Sequence, residues 1–286
     1  MRFHLVHVVL HKRLHGPQGY KEVVDTFEWG LTQLGHAVSR VQVQPRDLDG
    51  IFSPGACHIV FGVNMLRQET VEQLPDDTIV YNMEPVRGVS AANLTPGGLA
   101  SAKRLQIWDY SDTSLPTWAK IGAPHPAKYV KVGYAPILER IGKGDEPIDV
   151  LFYGAARDVR LKVFSGIAQS GLSCAFASGL YGADRDALIS KSKVVLNIGL
   201  SYANVFEIVR VSYLLANRKA CAALLGADTV IDPDLRGAFK ASPPQQFVDD
   251  VYALVEDETG RHALEDAAYE AMRRRDIRGI LEEALG

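Results

Sequence analysis

The sequence of 286 residues contains little cysteine, and its three cysteines (Cys57, Cys174 and Cys221) are widely spaced in apolar stretches. An odd number of scattered thiols argues against a disulfide framework and against a cysteine metal site. It indicates buried thiols in a reducing compartment. We therefore expect a cytoplasmic location, with peripheral attachment to a membrane as the alternative.

Long apolar runs are also missing. No stretch of about 18 apolar residues occurs, which argues against a transmembrane helix. The apolar start, MRFHLVHVVL, is too short for a signal peptide and lacks a small-residue cleavage site, so we interpret it as a first β-strand. The formal net charge of −3 gives no reason to favour nucleic acid as a partner. The hydrophobic content of 47% and charged content of 23% are typical of a soluble globular protein.

Neither a GxGxxG nor a Walker pattern is present, which leaves dinucleotide binding and P-loop chemistry without support. Short apolar segments alternate instead with segments of helical periodicity, and this alternation predicts βαβ units and a largely parallel sheet. Predicted strands cover 3–10, 37–43, 57–63, 77–83, 104–111, 129–135, 149–154, 172–177, 194–198 and 220–225. Predicted helices cover 19–35, 65–74, 114–122, 159–171, 183–192, 206–218, 244–257 and 260–275.

The polar stretch LERIGKGDEPID suggests a linker at 138–148, after which an apolar strand begins again. We predict two Rossmann-like, doubly wound α/β domains, at 1–137 and 149–286, with the last helix able to pack back on the first domain. Ligands of doubly wound sheets bind at the carboxyl ends of the strands, so we expect a ligand crevice between the two domains.

Three segments of the second half carry candidate chemistry. In FYGAARDVR, a strand ends at Gly154 and a helix follows, which places backbone N–H groups where an anion can sit, with Arg157 and Arg160 flanking that position. The alternative is an ordinary βα turn with solvated arginines. In SGLYGADRDA, Gly182 permits close backbone approach to a ligand and Tyr181 is placed to lie against a base ring. The alternative there is a plain loop.

The third segment, NVFEIVRVSYLLANRKA, opens an apolar helix with Glu207 and Arg210. Asn204 and Glu207 have the spacing of a capping box, which would explain the acid by local helix chemistry alone. An acid in the first turn can equally present its oxygens to ribose hydroxyls, while Arg210 and the helix N-terminus favour a diphosphate. We favour contact between Glu207 and a ligand.

These segments, together with LYGADRDALISKSKVVLNI and FVDDVYALVEDETGRHALEDAAYEAMRRR, resemble the C-terminal domain of GT-B glycosyltransferases of the CgeB-like group. In the first half, IVYNMEP, IWDYS and YVKVGYAP resemble segments of related glycosyltransferases. The resemblance implies the GT-B fold, a nucleotide-sugar donor on the second domain and an acceptor on the first. It implies donor contacts by Tyr153, Gly154, Tyr181, Gly182, Asn197, Phe206, Glu207, Arg210 and Arg157.

The resemblance further implies a metal-independent transferase without a cofactor, and no Asp-x-Asp motif lies in a plausible metal-binding loop. A UDP-sugar is the default donor. The acceptor, whether glycan, lipid, small molecule or modified nucleic acid, is left open, as is the oligomeric state. Three departures stand out: Gly199 stands where relatives often have histidine, the segment ACAALLGAD from Ala220 lacks an acid that relatives often have, and Leu215 stands where many retaining enzymes have a second glutamate. The first two motivate a non-catalytic alternative. The alternatives are a non-catalytic nucleotide-sugar-binding partner protein and a sugar-nucleotide epimerase.

Transfer to a hydroxyl acceptor requires a base when the configuration is inverted. In the first domain, Glu84 and Asp109 follow predicted strands and are candidates for that base. The alternatives are a solvated loop acid for Glu84 and an Asx turn or N-cap for Asp109. His15, in the loop after the first strand, is a third candidate for acceptor contact, with simple solvation as its alternative.

Overall fold

The structure is a computed structural model, and it describes residues 1–9, 20–48, 50–86, 94–199 and 206–286. The chain divides into two compact units. The first consists of Met1–Ala135 together with Arg275–Gly286, and the second of Pro136–Arg274. None of the helices in these described ranges is both long and apolar enough to cross a bilayer.

The first unit is built on a six-stranded parallel sheet with the order β2-β1-β3-β4-β5-β6. Its strands are β1 (Arg2–Val8), β2 (Ala37–Val43), β3 (Cys57–Phe61), β4 (Ile79–Asn82), β5 (Gln106–Asp109) and β6 (Lys128–Tyr129). Its helices are α1 (Lys21–Gln33), α2 (Gln68–Val71), α3 (Pro96–Ala102), α4 (Leu115–Ile121) and the last helix of the chain, α10 (Ile277–Leu285).

Alternation along the strands gives this sheet two different faces. One face carries an aliphatic core that includes Val6, Val60 and Val80 and is covered in part by Trp118 of α4. The other face is aromatic: Phe27 of α1 packs on the rings of Phe61, Tyr81 and Trp108, at centroid distances of 5.2, 4.7 and 6.4 Å. Both faces are covered, and the central strands β3 and β4 are accordingly mostly apolar and buried.

The second unit contains a five-stranded parallel sheet with the order β11-β10-β9-β7-β8. Its strands are β7 (Ile148–Tyr153), β8 (Cys174–Ala177), β9 (Ser192–Ile198), β10 (Ala220–Leu224) and β11 (Lys240–Ser242). Its helices are α5 (Asp158–Ala168), α6 (Gly182–Ser190), α7 (Ile208–Ala216), α8 (Phe247–Glu256) and α9 (Glu258–Arg273). Val150, Phe152, Val194 and Leu196 face a core that Phe247 and Val251 of α8 help to close.

Each sheet reverses its winding direction once, between β1 and β3 in the first unit and between β7 and β9 in the second. In open α/β sheets, ligands bind outside the carboxyl ends of the strands at such a switch point. In the second unit, this position is the edge where β7 ends at Tyr153 and β9 ends at Ile198.

The two parallel sheets confirm the predicted α/β class, and three elements differ from the prediction. The strand predicted at 129–135 pairs with β5 only at Lys128–Tyr129. Beyond that point, Tyr134 exchanges backbone hydrogen bonds of 2.7 and 3.0 Å with Arg275 and Ile277 instead. The other two differences are β11 and α3, which the sequence pattern did not predict. Helix α3 contains Gly97, whose close approach to the carbonyl of Leu66 leaves no room for a side chain.

The stretch 138–148, which the sequence suggests is a linker, is attached to the second unit. The side chain of Asn217 accepts hydrogen bonds of 2.8 Å from the backbone of Arg140 and Ile141, and donates one of 2.9 Å to the carbonyl of Leu138. Lys219 forms an ion pair with Glu146 at 2.5 Å.

Candidate functional site

The candidate site lies at the switch point of the second sheet, where β7 ends and Gly154 follows. Gly154 donates a 2.9 Å backbone hydrogen bond to Ala177 of β8 and adopts φ 147°, a value that L side chains rarely take. A Cβ atom at this position would lie 3.4 Å from Nη2 of Arg210 and 3.6 Å from Nη1 of Arg160. Gly154 therefore lets two guanidinium groups approach the backbone at the strand end.

Arg160, in the first turn of α5, is fixed at the centre of this site. It is only 2% exposed. Its Nε donates a 2.8 Å hydrogen bond to the carbonyl of Ile198 at the end of β9, and its Nη1 donates one of 3.3 Å to Ala155. One side chain thus connects the loop after β7 to the end of β9, which are the two edges of the switch point.

Glu207 and Arg210 enter the same site from the start of α7. The Glu207 carboxylate lies 3.4 Å from Nη2 of Arg160 and 3.2 Å from Nη1 of Arg210. Nη1 of Arg210 also approaches the side-chain oxygen of the buried Asn197 at 3.5 Å. We call Arg160, Glu207 and Arg210 the arginine–glutamate cluster.

The capping-box interpretation of Glu207 is not supported. Helix α7 begins at Ile208, so Glu207 occupies the N-cap position and not the third helical position, where a capping box needs its acid. Its side chain accepts no capping hydrogen bond. Asn204, the other member of the predicted box, lies outside the described residues. Glu207 uses its carboxylate on the two arginines instead.

The guanidinium groups of the site lie against two aromatic rings. The ring of Phe152 lies 5.4 Å from Cζ of Arg160 and 5.7 Å from Cζ of Arg210. The ring of Tyr153 lies 5.8 Å from Cζ of Arg210 and 6.0 Å from Cζ of Arg185 in α6. Contacts between cations and aromatic faces at these distances are attractive, so the rings help to hold three guanidinium groups close to one another.

The charge balance of the site is positive. The Glu207 carboxylate forms ion pairs with Arg160 and Arg210, and the guanidinium group of Arg157 adds a third positive charge that acts on Arg160. Burial, followed by repulsion from Arg210, lowers the pKa of the Arg160 guanidinium, while Glu207 opposes that change. A phosphate group would relieve the repulsion between the guanidinium groups, and bidentate guanidinium contacts suit its geometry.

Arg157 borders the cluster at the N-cap of α5, with an exposed side chain. The 11-residue helix that follows directs its N-terminal N–H groups and positive dipole end toward the same edge of the sheet. The loop after β7 therefore combines an exposed cation, a buried cation and a helix N-terminus.

The remaining predicted donor residues take separate places. Tyr181 is the half-buried N-cap of α6, and Gly182 begins that helix with φ 60°. Phe206 is buried and stacks on Phe239, with ring centroids 4.6 Å apart and planes inclined by 12°. The structure thus brings Tyr153, Gly154, Asn197, Glu207 and Arg210 together.

Asp109 in the first unit is fully buried and does not reach a surface from which it could contact a substrate. Its Oδ2 accepts hydrogen bonds of 2.7 Å from Nε1 of Trp118 and 2.8 Å from Asn82, and its Oδ1 accepts one of 2.8 Å from the backbone of Ser111. The bond to Ser111 is an Asx turn. Burial raises the pKa of Asp109 to about 6, against the effect of these hydrogen bonds. The geometry therefore assigns Asp109 to the core and not to catalysis.

Glu84 lies half-buried just after β4, at the carboxyl edge of the first sheet. Its carboxylate accepts a hydrogen bond from the hydroxyl of Tyr20. The side chain of Asn82 joins Glu84 to Asp109, because it donates hydrogen bonds of 2.7 Å to the Glu84 carbonyl and 2.8 Å to the Asp109 carboxylate. His15, the third predicted catalytic residue, lies outside the described residues.

Within the described ranges, no group of three or more His, Cys, Asp or Glu side chains is arranged to hold a metal ion. The cations recorded at the candidate site of the second unit belong to arginine side chains.

Sequence reasoning placed Arg160 beside the anion position without predicting its burial, and it assigned no role to Arg185. In the sequence, Arg160 looks like a solvent-exposed residue beside the loop. Its burial depends on the pairing of β7 with β9, and two helices and a strand separate these strands along the chain. Arg185 is also buried and stacks 4.4 Å from the ring of Tyr213, whose hydroxyl bonds Asp186 at 2.9 Å. The DRD triplet at 184–186 gives no periodic signal for this contact.

Comparison with known proteins identifies solved structures of the same fold, but no match to a family model or to a curated protein. No family model matches the sequence, and no curated protein matches it. The structure is similar to an alpha-glucosyltransferase (AGT) solved in complex with UDP, with a TM-score of 0.68 and 11% identity over 100% of this chain and 98% of that chain. The same enzyme has also been solved with UDP and a 13-mer DNA containing an HMU base, with a TM-score of 0.68.

Two further solved structures match nearly the full chain. One is the Anabaena HepE protein in complex with UDP, with a TM-score of 0.60 and 11% identity over 99% of each chain. The other is AviGT4, a glycosyltransferase involved in avilamycin A biosynthesis, with a TM-score of 0.61 and 12% identity over 99% of this chain and 96% of that chain. These neighbours are GT-B glycosyltransferases, and this chain has their fold.

Proposed function

We propose that this protein is a glycosyltransferase that moves a sugar from a nucleotide-sugar donor, with a UDP-sugar as the first candidate, to an acceptor hydroxyl. The observation that carries the proposal is the arginine–glutamate cluster at the switch point of the second sheet, in a chain with the GT-B fold. Structural neighbours solved with UDP or UDP-glucose support the choice of nucleotide.

The second unit binds the donor in this proposal. Arg210, Arg157 and the N-terminus of α5 bind the diphosphate, and Glu207 accepts hydrogen bonds from ribose hydroxyls. Tyr181 lies against the base, while Gly182, Phe206 and Asn197 shape the surrounding pocket. Tyr153 and Gly154 let Arg210 approach the strand end: its Cζ lies 5.8 Å from the ring centroid of Tyr153, and its Nη2 would lie 3.4 Å from a Cβ added at Gly154.

The chemical step breaks the bond between the anomeric carbon and the diphosphate oxygen and forms a bond from that carbon to the acceptor oxygen. Negative charge grows on the departing diphosphate, and preorganised guanidinium groups stabilise that charge at the moment it develops. Because the cluster supplies this charge, we propose a metal-independent transfer. The acceptor proton goes to a base, for which Glu84 is the candidate in the first unit.

A nucleotide screen tests the donor assignment. Thermal shift with UDP, GDP, CDP and dTDP should show stabilisation by one of them, and about 100 Kd of ligand corresponds to about 2.7 kcal/mol. Incubation with UDP-glucose, with and without candidate acceptors, should then release UDP. Binding without release of UDP would favour a nucleotide-sugar-binding partner protein, and conversion of the sugar without transfer would favour an epimerase. Absence of any nucleotide binding would overturn the proposal.

A further inference from the structure

We infer that Glu207 makes the arginine–glutamate cluster selective for nucleotides over free phosphate and pyrophosphate, because its carboxylate occupies the anion position that Arg160 and Arg210 would otherwise offer. The inference rests on the proposed function and adds to it a role in specificity. The distances carry it: Glu207 lies 3.4 Å from Arg160 and 3.2 Å from Arg210, one carboxylate between two guanidinium groups.

The two arginines hold this carboxylate loosely. Charge-assisted N–H···O bonds are typically about 2.7–2.9 Å long, whereas both oxygens of Glu207 lie 3.4–3.5 Å from Nη2 of Arg160. The Glu207 side chain is 24% exposed and accepts no bond from the N-terminus of α7. It therefore has few other contacts to retain it when a ligand arrives.

Arg160 cannot follow the carboxylate, since Ile198 and Ala155 accept hydrogen bonds from its Nε and Nη1. The anion position is thus fixed by the protein, and its occupant can change. A ligand phosphate must either displace Glu207 from the arginines or sit beside its negative charge. Both options are unfavourable unless the displaced carboxylate finds new partners.

A ribose supplies those partners, because its two hydroxyls can donate hydrogen bonds to a carboxylate. A nucleoside diphosphate therefore brings both the anion for the arginines and the donors for Glu207. Inorganic phosphate and pyrophosphate bring only the anion. The cluster should discriminate against them even though the positive charges of Arg157, Arg160 and Arg210 outnumber the single negative charge of Glu207.

The test compares wild type with Glu207→Gln, which keeps the size of the side chain and removes its charge. By isothermal titration calorimetry, Glu207→Gln should bind sodium pyrophosphate about tenfold more tightly, equivalent to about 1.4 kcal/mol, and uridine more weakly. The control is Glu256→Gln, an exposed acid at the end of α8, which changes the net charge equally and should leave pyrophosphate affinity unchanged.

A second measurement needs no variant. If uridine draws Glu207 away from the arginines, saturating uridine should raise the affinity of wild type for inorganic phosphate, a small anion that leaves room for the nucleoside. Thermodynamic coupling is reciprocal and typically about 5- to 150-fold, so we expect at least about fivefold here. This result decides the question if Glu207→Gln does not fold.

The outcomes separate the inference from the proposed function. One set of outcomes overturns the inference: Glu207→Gln leaves pyrophosphate affinity unchanged, and uridine and phosphate bind independently. If UDP still binds in an Arg210-dependent manner in that case, the proposed function stands. If wild type binds neither UDP nor pyrophosphate, the proposed function fails and the inference fails with it.

Discussion

The carboxylate of Asp109 accepts a 2.7 Å hydrogen bond from the indole nitrogen of Trp118 inside the core of the first unit. Asn82 and the backbone of Ser111 are its other donors, so three donors converge on two oxygens of a fully buried acid. The carboxylate satisfies the hydrogen-bonding capacity of these buried donors, and burial raises the pKa of Asp109 to about 6. This arrangement gives the first unit a measurable dependence of stability on pH.

We predict that Asp109→Asn destabilises the first unit at mildly acidic pH, because the new amide group faces a donor. An unsatisfied buried polar group costs about 1–3 kcal/mol. The cost should also fall as the pH rises. An acid with a raised pKa holds its proton more tightly in the folded state, so its contribution to stability declines between its unfolded value and about 6. Between about pH 4.5 and pH 7, the difference between wild type and variant should shrink by about 2 kcal/mol.

Urea unfolding followed by tryptophan fluorescence measures this difference, since Trp29, Trp108 and Trp118 all lie in the first unit. Asp76→Asn is the control, an acid whose side chain is 91% exposed. A cost that grows with pH would show that the hydrogen bonds dominate and that the pKa of Asp109 is lowered in the folded protein.

Arg210→Gln should weaken binding of UDP about 10- to 100-fold, because a charge-assisted contact to phosphate is worth about 1.5–3 kcal/mol. Binding of uridine should not weaken, since the nucleoside carries no phosphate and the loss of Arg210 leaves Glu207 freer to accept hydrogen bonds from its ribose. Calorimetry with both ligands measures the two effects, and Arg236→Gln, an exposed arginine of the same unit, is the control. Equal losses for UDP and uridine would mean that Arg210 supports the structure of the site and not the diphosphate.

Gly154→Ala should weaken binding of UDP about tenfold, because the added methyl group would lie 3.4 Å from Nη2 of Arg210 and 3.3 Å from Phe152. The backbone strain alone should cost about 1 kcal/mol of stability. Gly171→Ala is a matched control: Gly171 also has positive φ, at 89°, but no atom lies within 4 Å of its added Cβ. Thermal unfolding and UDP titration of both variants separate strain from contact. A similar loss of UDP affinity in both would contradict the contact explanation.

The regular parts of the fold could be predicted because their signals are local. The pattern AVSRVQV gives the bounds of β2 at Ala37–Val43 without error, and most other predicted strands and the longer helices lie within a few residues of the expected positions. The exceptions among the strands are the prediction at 129–135, which forms only at Lys128–Tyr129, and β11, which the sequence pattern does not predict. Among site residues, Glu207 and Arg210 could be paired from their spacing, since residues three apart share a helix face.

The parts that could not be predicted depend on contacts between distant segments. Arg160 is buried because the carbonyl of Ile198, 38 residues later in the chain, accepts its Nε–H. Helix α10 belongs to the first unit because Gly133 and Gly30 leave space for Ile277, whose side chain would lie within 3 Å of a Cβ at either glycine. The sequence shows that a position is glycine, but it does not show which distant residue packs against that position.

Glu84 is the remaining candidate for the base, and its neighbours suggest how its carboxylate is held. The hydroxyl of Tyr20 donates a hydrogen bond to the Glu84 carboxylate. The side-chain amide of Asn82 donates a 2.7 Å hydrogen bond to the backbone carbonyl of Glu84, which holds the backbone of this residue in place. General base catalysis contributes about 10²- to 10⁴-fold to a rate. We therefore expect Glu84→Gln to slow release of UDP from UDP-glucose at least about 100-fold while UDP affinity stays within about twofold.

Two variants make this test specific. Glu72→Gln, an exposed acid of the same unit, should keep the wild-type rate. Tyr20→Phe removes one hydrogen bond to the carboxylate and should slow the reaction only about fivefold, as expected for the loss of about 1 kcal/mol of positioning. If Glu84→Gln retains the full rate while Arg210→Gln loses UDP binding, the donor site is correct and the proton is accepted by another group. His15, which the sequence also suggested as a catalytic residue, would then be the next residue to replace.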